Sequence, residues 1–329
     1  MFLNEISNTL IIGKSGTGKT LQTKKIIKNF INQDEEKICM IVDRGGSYND
    51  LVKNYNGINI EIKPNNVICI NPFIFNNYQA KLLLIQKLFF DIELIYLNID
   101  RIEQIQKIPN GKDQTKEREE QKLKIKKYKE QIQNKTQEIK KIINLTEFRN
   151  NDKIIYDNNE EPISTEFIGS KPMVKVKEFV EIFKEMLNYS YLYKNMKAKI
   201  EKYLYQLFEE MIIKKVNLNK NNEEKLYLLI SELQVSLKTL FIENEDIDNE
   251  QVKVLLFDIE EYINPSQFGR LFNGEPKINI ENNNLINIDF GEIQNEKMIN
   301  LVFSSILMNC SQIITNDKNK KVKKKLIIE

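Results

Sequence analysis

Short apolar runs alternate with one amphipathic stretch over the first 75 residues: "TLII", "KTLQTKKIIKNFIN", "KICMIVD", "INIEI" and "NVICINPF". The apolar runs have strand length, while Ile26, Ile27, Phe30 and Ile31 recur at helical spacing. Strand, helix, strand predicts a parallel α/β core. From about residue 79 to 261 Lys, Glu, Gln, Ile and Leu dominate and turn residues are scarce, which predicts a largely helical segment. Within it Pro109, Asn110 and Gly111 mark a turn inside a long helical hairpin over about 81–145. Its second arm places Ile125, Tyr128, Ile132, Ile139 and Ile142 at heptad spacing, interrupted by Lys135. Turns return in "NPSQFGRLFNGEP", followed by strand-like "NLINIDF", helix-like "EKMINLVFSSILMNCSQIIT" and "KKKLIIE". The economical arrangement is one α/β core built from 1–75 and 266–329, with a helical insertion at 76–265 between its parts.

Composition narrows the chemistry. At 329 residues and 41% hydrophobic the chain can bury a large core, and 49 Lys and Arg against 47 Asp and Glu leave a net charge of only +2. No whole-chain field therefore argues for nucleic acid or an acidic membrane surface. The hairpin is locally basic, with 13 Lys and Arg against 7 Asp and Glu over 101–145. Two readings follow: a solvated hairpin packed on its neighbour, or a contact with nucleic acid or a membrane surface. The apolar run "KLLLIQKLFFDIELIYLNI" contains Lys87, Asp91 and Glu93, and no uncharged run is expected to approach a membrane span. "MFLNEISN" lacks the basic-then-apolar pattern of a signal peptide. Cys39, Cys69 and Cys310 are widely spaced and odd in number, so buried thiols in a reducing, cytosolic setting are expected. Histidine is absent, which leaves acid–base work to carboxylates, Lys, Cys or Tyr.

Three of the chain's 11 glycines fall in one loop, where Gly13, Lys14, Ser15, Gly16, Thr17, Gly18, Lys19 and Thr20 satisfy G-x-x-x-x-G-K-[ST]. Glycines let the backbone turn its amides inward, and with the following helix N-terminus they cradle phosphates. Lys19 supplies a cation for the β- and γ-phosphate oxygens and Thr20 a hydroxyl for Mg2+. Apolar "LII" before the loop and an amphipathic helix after it complete the expected context.

Hydrolysis also needs an acid at the end of a neighbouring strand. Asp258, in "VKVLLFDIEEY", has the right local form, yet Val252, Leu255, Leu256, Ile259, Tyr262 and Ile263 trace a helical stripe. Asp289 closes "NLINIDF" and serves equally as a metal ligand or a turn-capping aspartate. Asp43 closes "ICMIVD" before "RGGSY", either beside the nucleotide and its metal or as a turn residue before a Gly-Gly pair. Glu329 follows "KKKLII".

Taken in order, "NTLIIGKSGTGKT", "MIVDRGGSYNDL", "INPF", "FGRLFNGEP", "NLINIDFGEI" and "LIIE" resemble the C-terminal ATPase domain of conjugative type IV secretion ATPases, the TraC/TraE-like group. The resemblance implies a RecA-like P-loop NTPase core with a large all-helical insertion, hexameric assembly, and a seat on the cytoplasmic face of the inner membrane beside other secretion subunits. It implies ATP and Mg2+ at residues 13–20, catalytic roles for Lys19 and Glu329, metal contacts from Thr20 and Glu329, and a position for Asp43 at the acid closing the family's second strand. Family members carry Asp then Glu at the metal-binding pair, where this chain has Glu329. They also extend beyond both ends of the present chain, so a fragment of a motor is expected, with ATP hydrolysis belonging to the longer form. Two other functions fit the residues: a DNA-translocating P-loop ATPase of the FtsK/HerA type, and a nucleotide-binding assembly component that does not hydrolyse. Nucleic acid is a possible partner that no motif indicates.

Overall fold

The computed structural model describes residues 11–12, 14, 16–33, 35–63, 68–106, 115–146, 148, 152–167, 172–187, 189, 192, 194–218, 226–243, 249–263, 267–277, 283–315 and 322–329. In chain order these form α1 (Lys19–Ile31), β1 (Lys37–Asp43), α2 (Asn49–Asn54), β2 (Ile58–Glu61), β3 (Ile74–Phe75), α3 (Asn77–Gln106) and α4 (Thr115–Asn144). Next come β4 (Asp152–Tyr156), β5 (Pro162–Phe167), α5 (Pro172–Met186), α6 (Lys194–Leu218), β6 (Leu226–Tyr227), α7 (Ile230–Glu243) and α8 (Asn249–Glu260). The chain closes with α9 (Gln267–Phe272), β7 (Leu285–Asp289), α10 (Glu296–Thr315) and β8 (Lys323–Ile328).

β2, β7, β1 and β8 form a parallel sheet in that order. Side-chain alternation along β1 divides the core in two. Cys39 and Ile41 face α1 and α2, where they pack with Ile27, Phe30, Tyr48, Leu51 and Val52. Met40 and Val42 face the other way, into a larger core with Ile286 and Ile288 of β7 and with α5, α6 and α10. A strand apolar on both faces is what a sheet covered on both sides requires, and "ICMIV" supplies it.

The sheet differs from the expected one in two places. "NVICINPF" is no sheet strand over its described residues 68–73; only the two-residue β3 follows, paired antiparallel with β6. Its buried polar groups are satisfied individually: Ile70 N–H donates to the Leu271 carbonyl at 2.6 Å, and the Asn71 amide donates to the Leu228 and Gly274 carbonyls, each at 2.9 Å. The strand expected at "TLII" has its first two residues outside the described set, and Ile11 and Ile12 lie in no strand.

The segment between the sheet's strands is largely helical, but not wholly as expected: β4 and β5 form an antiparallel hairpin within it. β4–β5 packs beside α3 and α4, whose shared core of Leu82, Leu84, Ile85, Leu88, Ile92 and Ile139 takes in Ile132 and Ile142 at the seam. Lys135 breaks the apolar repeat because it reaches across to Asp91 at 2.6 Å. The turn at Pro109, Asn110 and Gly111 lies outside the described residues.

All three cysteines are buried and free, and desolvation pushes the Cys39 and Cys310 thiols up to about 12. α10 corrects one expectation about composition. From Met298 onward it carries no charge, and Glu296–Ile314 is long and apolar enough to cross a membrane, although 56% of that window is buried in the protein. Asn309 donates to the Asn71 carbonyl at 3.2 Å and Gln312 to the Ile74 carbonyl at 3.1 Å, so its polar side chains are used within the core.

The Asp91–Lys135 pair offers a test of the hairpin. Lys135→Leu alone leaves Asp91 without this ion pair at the seam and is expected to destabilise the protein. Asp91→Leu with Lys135→Leu completes the apolar repeat and is expected to exceed wild-type stability by about 1 kcal/mol, read from urea denaturation.

Candidate functional site

The loop before α1 is built by backbone conformation. Gly16 and Gly18 have φ of 79° and 83°, in the left-handed region that glycine enters freely, and Gly18 leads directly into α1. No acidic residue occupies the first turn of α1, so its N-terminal amides and positive dipole end remain suited to an anion. The Lys14 carbonyl accepts from the Thr17 hydroxyl at 2.8 Å and from the Lys19 ammonium at 2.8 Å. Gly13 and Ser15 lie outside the described residues.

Parallel register brings carboxylates to this loop. Asp43 pairs with Asp289 across β1 and β7, and the Glu329 N–H, just past β8, donates to the Val42 carbonyl at 2.9 Å. The C-terminal ends of three adjacent strands thus carry Asp43, Asp289 and Glu329, where open parallel sheets hold their ligands. Each acid has a different environment. Glu329 Oε1 accepts from the Thr20 hydroxyl at 2.5 Å, joining residues 309 apart in sequence, and Oε2 accepts from the Tyr48 hydroxyl.

Asp289 Oδ1 accepts from the Gly45 N–H at 3.2 Å and the Gly291 N–H at 2.9 Å, so the turn-capping reading of Asp289 describes its contacts. Gly46 has φ of 69°, and a Cβ there would meet Asn49 Nδ2 at 2.9 Å and Asp289 Oδ2 at 3.2 Å. That turn needs its glycine for both reasons. Asp43 is 2% exposed, and its Oδ2 has no hydrogen-bond partner. Burial pushes its carboxyl above the ordinary aspartate range, and the Asp289 and Glu329 charges push the same way, against the N–H groups of Ser47 and Arg44.

Lys14, Gly16, Thr17, Gly18, Lys19, Thr20, Asp43 and Glu329 therefore belong to one region, with Asp289 at its border. Asp258 does not join them: it lies on α8, as the helical stripe requires, and not at a strand end. Sequence reasoning gave Tyr48 no chemical role. Its position in "RGGSY", five residues past the end of a core strand, was the available signal.

The parallel sheet, the loop leading into α1 and the strand-end acids define an α/β fold of the RecA-like P-loop NTPase type. Within that class, the family model of the TraG P-loop domain matches residues 3–87. The fold is similar to that of VirB4 of Thermoanaerobacter pseudethanolicus, at 12% identity and a TM-score of 0.51, covering 94% of this chain and 80% of that one. A search of curated proteins gave no match. The TraG-domain match spans the loop, α1 and β1 to β3, and the likeness to VirB4 concerns the fold.

Asp43 makes a prediction about pH. A carboxyl raised by folding holds its proton to higher pH in the native state than in the unfolded one, so its contribution is most favourable below the unfolded aspartate range and lost as pH rises through the folded value. Asp43→Asn is expected to stabilise the protein at pH 7.5 by an amount on the order of 1 kcal/mol. The gain should shrink toward pH 4 in thermal melts.

Proposed function

We propose that this chain binds MgATP at residues 13–20 and that, as a subunit of a conjugation or type IV secretion machine, it couples ATP turnover to pore or pilus assembly and substrate export. The observation that carries the reading is the 2.5 Å contact between Thr20 and Glu329, which sets a hydroxyl from the loop against a carboxylate from a neighbouring strand. A divalent cation held beside a nucleotide takes such a pair of oxygen ligands, and it supplies charge neutralisation at the transferred phosphoryl group.

The residues present fit that group. The glycine-rich turn and the N-terminus of α1 would hold the phosphates, Lys19 would neutralise the β- and γ-oxygens, and Thr20 and Glu329 would hold Mg2+. Asp43, with an unpartnered buried oxygen near Glu329, would face the nucleotide or a water on its metal. On this reading 1–75 and 266–329 form the ATPase core and 76–265 the insertion. Partners would be further copies in a hexamer and other secretion subunits at the cytoplasmic face of the inner membrane. These properties rest on the family resemblance and the shared fold.

Lys19→Ala tests the loop. It is expected to weaken MgATP binding by about 10- to 100-fold, the cost of one charge-assisted contact, measured by calorimetric titration. Equal affinity in the variant would sink the assignment. ATP turnover stimulated by DNA would move the reading toward a translocase, and binding without turnover toward an assembly component.

A further inference from the structure

The geometry points to Tyr48 as the residue that positions the Glu329 carboxylate for Mg2+, an inference that rests on the nucleotide reading of the loop. Tyr48 is wholly buried, immediately before α2, and its ring packs with Ile27 and Phe30 of α1, Ile41 of β1, and Leu51 and Val52 of α2. Lys24 Nζ lies over that ring, 5.8 Å from its centre. A ring held by three elements has little rotational freedom, so its hydroxyl is a fixed donor.

Glu329 is in the opposite condition. It lies exposed just past the end of β8, beyond the last packed residue of its own face, Ile327, so packing does little to set the carboxylate. Two side-chain hydroxyls hold it instead, Thr20 on Oε1 and Tyr48 on Oε2. They differ in what a metal would do to them. Thr20 is itself a ligand candidate, so its oxygen would be committed to the cation when MgATP binds. Tyr48 has no such second duty, and its hydrogen bond can persist through loading and release. Its hydroxyl donates to Glu329, through which it would act on the metal, and this makes it a positioning residue. Removing such an outer partner typically lowers metal affinity about 10- to 100-fold without removing a ligand.

Tyr48→Phe keeps the ring, its core packing and the Lys24 contact while deleting the donor. The experiment titrates the full chain with a fluorescent ATP analogue, first in EDTA and then at fixed analogue with increasing Mg2+. Wild type is expected to bind in EDTA and to tighten with Mg2+. Tyr48→Phe should match it in EDTA and in melting temperature, but require about 10-fold more Mg2+ for half of the tightening. The same Mg2+ dependence in both proteins would overturn the role of Tyr48 and leave the nucleotide site standing. Equal losses in EDTA binding and melting temperature, with no change in Mg2+ requirement, would identify a purely structural tyrosine and also overturn it. Failure of wild type to bind the analogue would overturn the nucleotide reading itself.

Discussion

The pairing of β8 with β1 is the constraint on which the site depends. It places Ile328 opposite Val42 and so carries Glu329 to the edge where Asp43 and the loop after β1 lie. β7 pairs on the other side of β1 and brings Asp289 to the same edge. Three acids meet because one strand has two parallel neighbours whose C-terminal ends are in register with its own. Each acid is held differently. Asp289 takes two backbone N–H donors, Glu329 takes two hydroxyls, and Asp43 keeps one buried oxygen without a partner. An unsatisfied buried carboxylate is a stability cost that ordinary core positions do not carry, and such costs concentrate at functional edges.

The motifs that linked this chain to secretion ATPases have structural duties away from the loop. Asn71 of "INPF" is fully buried; its amide clasps the carbonyls of Leu228 and Gly274, and its oxygen accepts from the Phe73 N–H at 2.8 Å. Phe73 then enters a cluster with Phe179, Phe183 and Phe208, with ring centres 5.3–5.9 Å away. Asn273 of "FNG" accepts from the Ser231 N–H at 3.2 Å, and Gly274 leaves room for Cys69, whose sulfur would lie 3.3 Å from an added Cβ. These bonds join the start of the helical segment to its end. The polar groups specify which carbonyls meet, and the phenylalanines supply the burial.

Local pattern made β1, β7, β8 and α8 legible, because strand length with β-branched residues and the stripe through Leu255 and Ile259 are properties of short windows. The interruption at Lys135 was visible too, although its partner Asp91 lies on another helix. Strand order was not visible: β7 and β8 flank β1 from more than 200 residues away, and no local signal records such pairing. "NVICINPF" has strand composition, yet it is used as a buried connector whose hydrogen bonds go to loops and to α9 and α10 rather than to a neighbouring strand. The two readings of Asp289 also needed long-range information, since Gly45 lies 244 residues earlier. Glu329 was found by form and Tyr48 was not, because a tyrosine before a short helix has the same local appearance whether its hydroxyl is used or idle.

The position of Tyr48 is itself supported from below. Asn287 of β7 is fully buried and donates to Asn49 Oδ1 at 2.9 Å and to Asn59 Oδ1 at 3.2 Å, while the Asn59 amide donates to the Asn49 carbonyl at 3.1 Å. This set of amides ties the first residue of α2 to β7 and β2, one residue after Tyr48. Apolar packing alone would let a six-residue helix slide on the sheet, since dispersion contacts are weakly directional. Directional bonds beneath its first turn remove that freedom. The order of the sheet therefore acts on Glu329 twice, once through β8 and once through the amides that seat α2 and hold Tyr48 above it.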